Sequence, residues 1–203
     1  MLLSVTGASG TGKSTVLEAL RHVDFGAPVT CVEFDSIGVP AGADTAWRHG
    51  AIERWVRVAL DAQERGEHLL LFGQAAPGEL LAAPSADLLD GIAICVLTTS
   101  PQVQEERLTG RGEPAESLVH HLRFGEWFRH HSEDPRHEPE VIRVDTTIPM
   151  AWSRWEGLPR DDPRWPVTVL NTDPLTPAGV ADAVEEWARG NLAGTESPEP
   201  RGR

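Results

Sequence analysis

Near the start of the chain, Gly7-Ala8-Ser9-Gly10-Thr11-Gly12-Lys13-Ser14 fits the spacing G-x-x-x-x-G-K-[ST], a pattern whose chemistry is the cradling of phosphate groups. Its glycines permit backbone conformations that turn successive N–H groups inward, and the start of the following helix adds partial positive charge. Gly7, Ser9, Gly10, Thr11, Gly12 and Thr15 are the expected phosphate-loop contacts. Lys13 reaches the terminal phosphates as a point charge, and the Ser14 hydroxyl suits a magnesium ion. Lys13 is also the only lysine in the chain, every other fixed side-chain cation being arginine. A chance match in a chain of this length is on the order of one in a hundred from average residue usage, and placement between an apolar run and a helical pattern lowers it further.

Moving a phosphoryl group also needs positive charge around it, alignment of donor and acceptor, and exclusion of water. Asp35, at the end of VTCVEFD, can accept a hydroxyl proton or hold the metal through water. Arg107 and Arg111 in RLTGRG can supply charge. Each has a plainer reading, a capping or solvated aspartate and surface arginines. Arg48, Arg54 and Arg57 can salt-bridge on a solvated helix face. The pairs His120-His121 and His130-His131 diverge on a helix, so a solvated face is favoured over a metal site. Trp152, Trp155 and Trp165 could wall a planar or sugar-like acceptor, although packing of their loop onto the domain is the favoured reading.

These residues must be held by a scaffold, and the apolar pattern supplies one. LLSVT (residues 2–6), VTCVEFD (29–35), HLLLF (68–72) and IAICVL (92–97) read as strands, with further candidates at 141–144 and 167–170. Helices are predicted over 13–22, 44–65, 100–109, 115–131 and from Thr176-Pro177 onward. Between the helices at 100–109 and 115–131, RLTGRGEP reads as an arginine-bearing mobile loop broken at Gly110 and Gly112, and between the strand candidates at 141–144 and 167–170 MAWSRWEGLPRDDPRWP reads as an inserted surface loop. Strands as unbroken apolar runs alternating with helices imply an α/β fold, a three-layer αβα sandwich around a mostly parallel five-stranded sheet.

With 203 residues the chain is expected to form one domain over 1–193, followed by a polar, disordered tail at 194–203. The hydrophobic fraction is 40% and the charged fraction 24%, ordinary for a globular protein. A formal charge of −13 argues against a nucleic-acid backbone as the main partner. No stretch approaches a membrane span and no basic-then-apolar signal precedes the first strand, so a cytoplasmic location is expected. Cys31 and Cys95 lie inside apolar runs and read as buried strand cysteines, without a disulfide or metal.

On the phosphate loop, the EFDS context of Asp35, the RLTGRG arginines and the NTDPLTP segment before the last helix, the chain resembles the P-loop nucleoside triphosphatases. Within them it is most similar to small kinases such as adenylate, shikimate and gluconate kinases and chloramphenicol phosphotransferase. The resemblance covers about residues 1–135 and 167–190 and implies the P-loop NTPase fold, an arginine-bearing lid near 107–135, and ATP with Mg2+ as cofactors. It assigns catalysis to Lys13, Asp35, Arg107 and Arg111, metal binding to Ser14 and Asp35, and acceptor contacts to Asp35, Arg48 and Gln74. The third strand ends in Gly73-Gln74 where a motor-type ATPase would carry an acidic metal ligand, which favours a kinase. NTDP lacks the lysine of the guanine-reading NKxD, which favours ATP over GTP. The implied partner is a small-molecule phosphate acceptor; the competing reading is an ATPase whose nucleotide state regulates a partner protein through the tryptophan-rich insertion.

Overall fold

In the computed structural model, which describes residues 1–194, five strands form one parallel sheet. They are β1 (Leu2–Thr6), β2 (Val29–Glu33), β3 (His68–Phe72), β4 (Ile92–Thr98) and β5 (Val167–Asn171), in the spatial order β2-β3-β1-β4-β5. β1 pairs with β3 in the register Leu2 to Leu69 and with β4 in the register Leu2 to Ile92. Chain order therefore reverses on either side of β1, and the crevice beyond the strand ends at such a point is where ligands bind in open α/β sheets.

The unbroken apolar strands serve both faces. Leu2, Leu69, Leu71, Ile94 and Val96 point into one core, while Leu3, Val5, Leu70, Phe72, Cys95 and Leu97 point into the other, the period-two alternation of a pleated strand. Helices α1 (Lys13–Leu20) and α6 (Pro177–Ala193) close the second core through Val16, Leu17, Leu20, Val180 and Val184. The first core is closed by α2 (Thr45–Glu64), the short α3 (Pro77–Ala82), α5 (Ala115–Glu133) and the tryptophan-rich segment. α4 (Pro101–Gly110) starts on the capping hydroxyl of Ser100.

Several expectations need correction. Residues 141–144 are not a strand: Pro139–Val141 is a short 3-10 turn, and the backbone N–H groups of Val141, Ile142 and Arg143 bond back to Glu138 and Pro139. Only Ile142 is buried there, while Val141 and Val144 are exposed, so the segment lacks the inward alternation that would hold it in the sheet. RLTGRG is not a glycine-broken loop. α4 runs through Gly110, and Gly112, at φ 79°, lets the N–H groups of Gly112 and Glu113 reach the carbonyls of Thr109 and Leu108. α3 was not anticipated at all.

The tryptophan-rich segment packs onto the domain. Trp155 is 1% exposed and donates its indole N–H to Gly78 O at 2.7 Å, and Trp165 donates to Ser132 O at 2.9 Å. Cys31 is half-buried, Cys95 is buried, and both are free thiols. No helix among the described residues is long and apolar enough to cross a membrane. The tail from Thr195 lies outside the described residues.

Candidate active site

β1 delivers its last residue, Thr6, into the phosphate loop at the centre of the sheet. Gly7 has φ 143°, and a Cβ there would lie 2.3 Å from Leu97 O on the neighbouring strand; Gly12, at φ 102°, is the N-cap of α1. No side chain bridges that helix start and its first turn holds no acid, so its leading N–H groups keep their partial positive charge for an anion.

The loop's carbonyls are occupied by side chains. Lys13 Nζ donates to Gly7 O at 2.7 Å and Ala8 O at 2.8 Å, and Thr11 Oγ1 donates to Ala8 O at 2.9 Å. Gln104 Nε2 donates to Ser9 O at 2.8 Å, and Arg107 Nη1 to Gly10 O at 3.3 Å. With the oxygens of residues 7 to 10 held in this way, the loop's polarity favours an anionic ligand. Burial pushes the Lys13 ammonium from 10.5 down to about 8, helped by the adjacent Arg111 charge and opposed by Asp35.

Two cavities flank the loop. The first, of about 220 Å³, is lined by Thr11, Thr15, Val16, Arg107, Thr172 and Leu175 among others. The second, of about 170 Å³, is lined by Lys13, Ser14, Glu33, Asp35, Gln74 and neighbouring loop residues. Gly12 and Arg111 line both. The wall of the first is latched to β4. Thr172 Oγ1 donates to Thr98 O at 3.1 Å and accepts from Arg107 Nη1 at 2.9 Å, while the Asp173 carboxylate takes the Ser100 N–H at 3.0 Å and the Thr99 hydroxyl. Burial alone would raise the Asp173 carboxyl, but these hydrogen bonds and the Arg107 charge outweigh it and hold it low.

The structure thus gathers Lys13, Ser14, Asp35, Gln74 and Arg111 around one cavity and puts Arg107 and Thr15 in the other. Arg48 lines neither: its Nε is 2.7 Å from Oε1 of Glu79, a carboxylate 1% exposed that also accepts the Ala76 N–H at 3.2 Å. Asp35 sits in a 3-10 turn, Phe34–Ile37, immediately after β2 rather than on the strand. Gly73 is required by packing, since a Cβ there would fall 2.3 Å from Phe34 Cβ.

No family model matches the chain. A protein of Archaeoglobus fulgidus named "Putative adenylate kinase" is 30% identical over 149 residues, covering 72% of this chain and 74% of that protein. The chain belongs to the P-loop kinase-like superfamily. Two solved structures share its fold: a sugar kinase from Janibacter sp. HTCC2649 and a gluconokinase from Sinorhizobium meliloti 1021. The first has a TM-score of 0.55 at 15% identity, covering 92% of this chain and 93% of that one. The second has a TM-score of 0.50 at 18% identity, covering 96% and 97%.

In this P-loop kinase-like chain, sequence reasoning missed Glu33, Gln104 and Thr172. Glu33 stands two residues before Asp35, so strand alternation could have put both on one side. Gln104 shares a face of α4 with Arg107 and Leu108, at i+3 and i+4. Thr172 lay inside the NTDP segment already compared with the guanine-reading NKxD.

Proposed function

We propose that the chain is a magnesium-dependent kinase that transfers the terminal phosphoryl group of ATP to a hydroxyl of a small molecule. The observation that carries this reading is the pair of cavities meeting at Gly12 of the phosphate loop and Arg111 at the end of α4. The first, walled by Val16, Leu175 and latched Thr172, suits the nucleoside, and the second, holding Asp35 and Gln74, suits the acceptor. At their junction Arg111 and Lys13 would stabilise the charge that spreads over the moving phosphoryl oxygens.

In the transfer, an acceptor hydroxyl oxygen forms a bond to the terminal phosphorus as the bond to the bridging oxygen breaks, and ADP leaves with that electron pair. The acceptor proton passes to the Asp35 carboxylate and on to solvent. Magnesium would supply charge neutralisation between the phosphates. The Ser14 hydroxyl, a hard oxygen donor on the loop, would hold that ion, which takes only one or two protein ligands beside phosphates, and Asp35 is kept for the acceptor proton rather than for the metal. Among the described residues no cluster of three His, Cys, Asp or Glu side chains offers an all-protein metal cage. Arg107, tied to Thr172 and Gly10, fits the nucleoside side better than the transferred group. The reading as a nucleotide-regulated binding protein is not favoured, because Trp155 and Trp165 are buried and unavailable to a partner.

Calorimetric titration with ATP tests the donor half. Lys13→Ala is expected to abolish binding, whereas Asp35→Asn should leave affinity within about twofold while lowering turnover by roughly 10²–10⁴. Unchanged ATP binding by the Lys13 variant would contradict the mechanism.

A further inference from the structure

The second cavity carries both signs of charge, and the signs are segregated. Its ionisable lining is Lys13, Arg111, Glu33 and Asp35. Lys13 belongs to the phosphate loop and Arg111 lines both cavities, so a donor triphosphate engages both cations. What remains on the acceptor side is acidic. Glu33 and Asp35 are exposed, and among the described residues neither carboxylate has a hydrogen bond or an ion pair. Of the arginines on α2, Arg48 is paired with buried Glu79 and Arg57 with Glu53, and none of the three, exposed Arg54 included, lines the cavity. Gln74 adds an uncharged amide, both donor and acceptor.

Resting on the kinase reading above, we propose that the acceptor is a hydroxyl compound without negative charge, either neutral or cationic, such as a sugar, a polyol or an amino sugar. Two free carboxylates accept hydrogen bonds from a row of hydroxyls or from an ammonium group. A phosphate monoester brings about −1.5 to −2 charges, and here it would meet those carboxylates with no cation left to neutralise it. Like charges a few ångströms apart at a partly enclosed surface repel strongly enough to disfavour an anionic acceptor by about a hundredfold or more in kcat/KM. A nucleoside monophosphate, the acceptor implied by the name of the Archaeoglobus relative, falls on the disfavoured side.

The test uses the full chain, Mg2+ and ATP labelled in its terminal phosphate. Acceptor probes fall into charge classes: AMP and gluconate as anions, glucose, glycerol and uridine as neutral hydroxyl compounds, glucosamine and kanamycin as cations. A small-molecule cell extract, split on an anion exchanger into retained and unretained fractions, widens the range. Label transfer is expected only to neutral or cationic probes or within the unretained fraction, and it should vanish in Lys13→Ala. Glu33→Lys is expected to lower kcat/KM for the labelled acceptor at least tenfold while leaving KM for ATP unchanged. Transfer to AMP or gluconate, or confined to the retained fraction, would overturn the charge assignment and leave the kinase reading standing. An acceptor used equally well by the Glu33 variant would overturn it too. Absence of Lys13-dependent transfer to every probe and fraction would overturn both.

Discussion

Replacing Lys13 with methionine should make the unliganded protein's stability respond differently to pH, in a direction opposite to the loss of a favourable ion pair. Burial and the Arg111 charge lower the ammonium from 10.5 to about 8. Between those values the unfolded chain binds the proton and the folded chain does not, so wild-type stability rises with pH across that window. At pH 7 the buried ammonium costs the folded state on the order of 3 kcal/mol, and by pH 9.5 roughly 1.4 kcal/mol remains. Lys13→Met removes this titration. It also removes two hydrogen bonds, to Gly7 O and Ala8 O, which affects both pH values alike. The stability of wild type relative to variant should therefore improve by about 2 kcal/mol from pH 7 to 9.5. Urea unfolding of both proteins at the two pH values measures it. Parallel stability profiles would refute the idea that an empty phosphate loop holds a desolvated cation whose cost a bound anion relieves.

Arg111→Ala is expected to lower kcat by roughly 10²–10³ with little change in KM for ATP, whereas Arg107→Ala should chiefly raise that KM; steady-state kinetics separate the two. Gln104 links the loop at Ser9 O to α5 at His121 O, and a Cβ on Gly125 would fall 2.4 Å from Gln104 Oε1. Gly125→Ala and Gln104→Leu should therefore both weaken ATP binding by roughly tenfold, the consequence of losing one buried hydrogen bond, with calorimetry as the check and circular dichroism confirming the fold. His131 is 0% exposed among Trp127, Trp155 and Trp165, and burial lowers it to about 4. Its contribution is whole above pH 6.5 and is lost as pH falls toward 4, about 3 kcal/mol in all. His131→Phe should flatten the urea midpoint's decline across that range.

What the sequence disclosed about the site follows the range of the interactions involved. Gly7 to Ser14 is a local pattern in which spacing alone carries the chemistry, and β1, β3 and β4 are continuous apolar runs because both faces of each are buried. Asp35 and Gln74 stand at strand ends, and a parallel sheet brings strand ends together, so their meeting was readable once the order of strands was assumed. Arg48 was not readable. Its partner Glu79 lies 31 residues away on α3, a six-residue helix too short to show periodicity. Residues 141–144 misled because two valines suggest a strand, whereas the fold needs only Ile142 from that stretch. The tryptophans of the insertion are large amphipathic side chains that serve a core or a ligand equally well. Only the indole hydrogen bonds to Gly78 and Ser132 decide for the core.

The claim on which the rest depends is that the phosphate loop donates to a small molecule rather than to water. Phosphorus NMR of wild-type protein with Mg2+, ATP and a protein-free small-molecule extract addresses it directly. A new phosphomonoester resonance should grow in step with ADP and be missing with Lys13→Ala and much slower with Asp35→Asn. ADP accumulating with inorganic phosphate alone, at a rate the extract does not change, would contradict it.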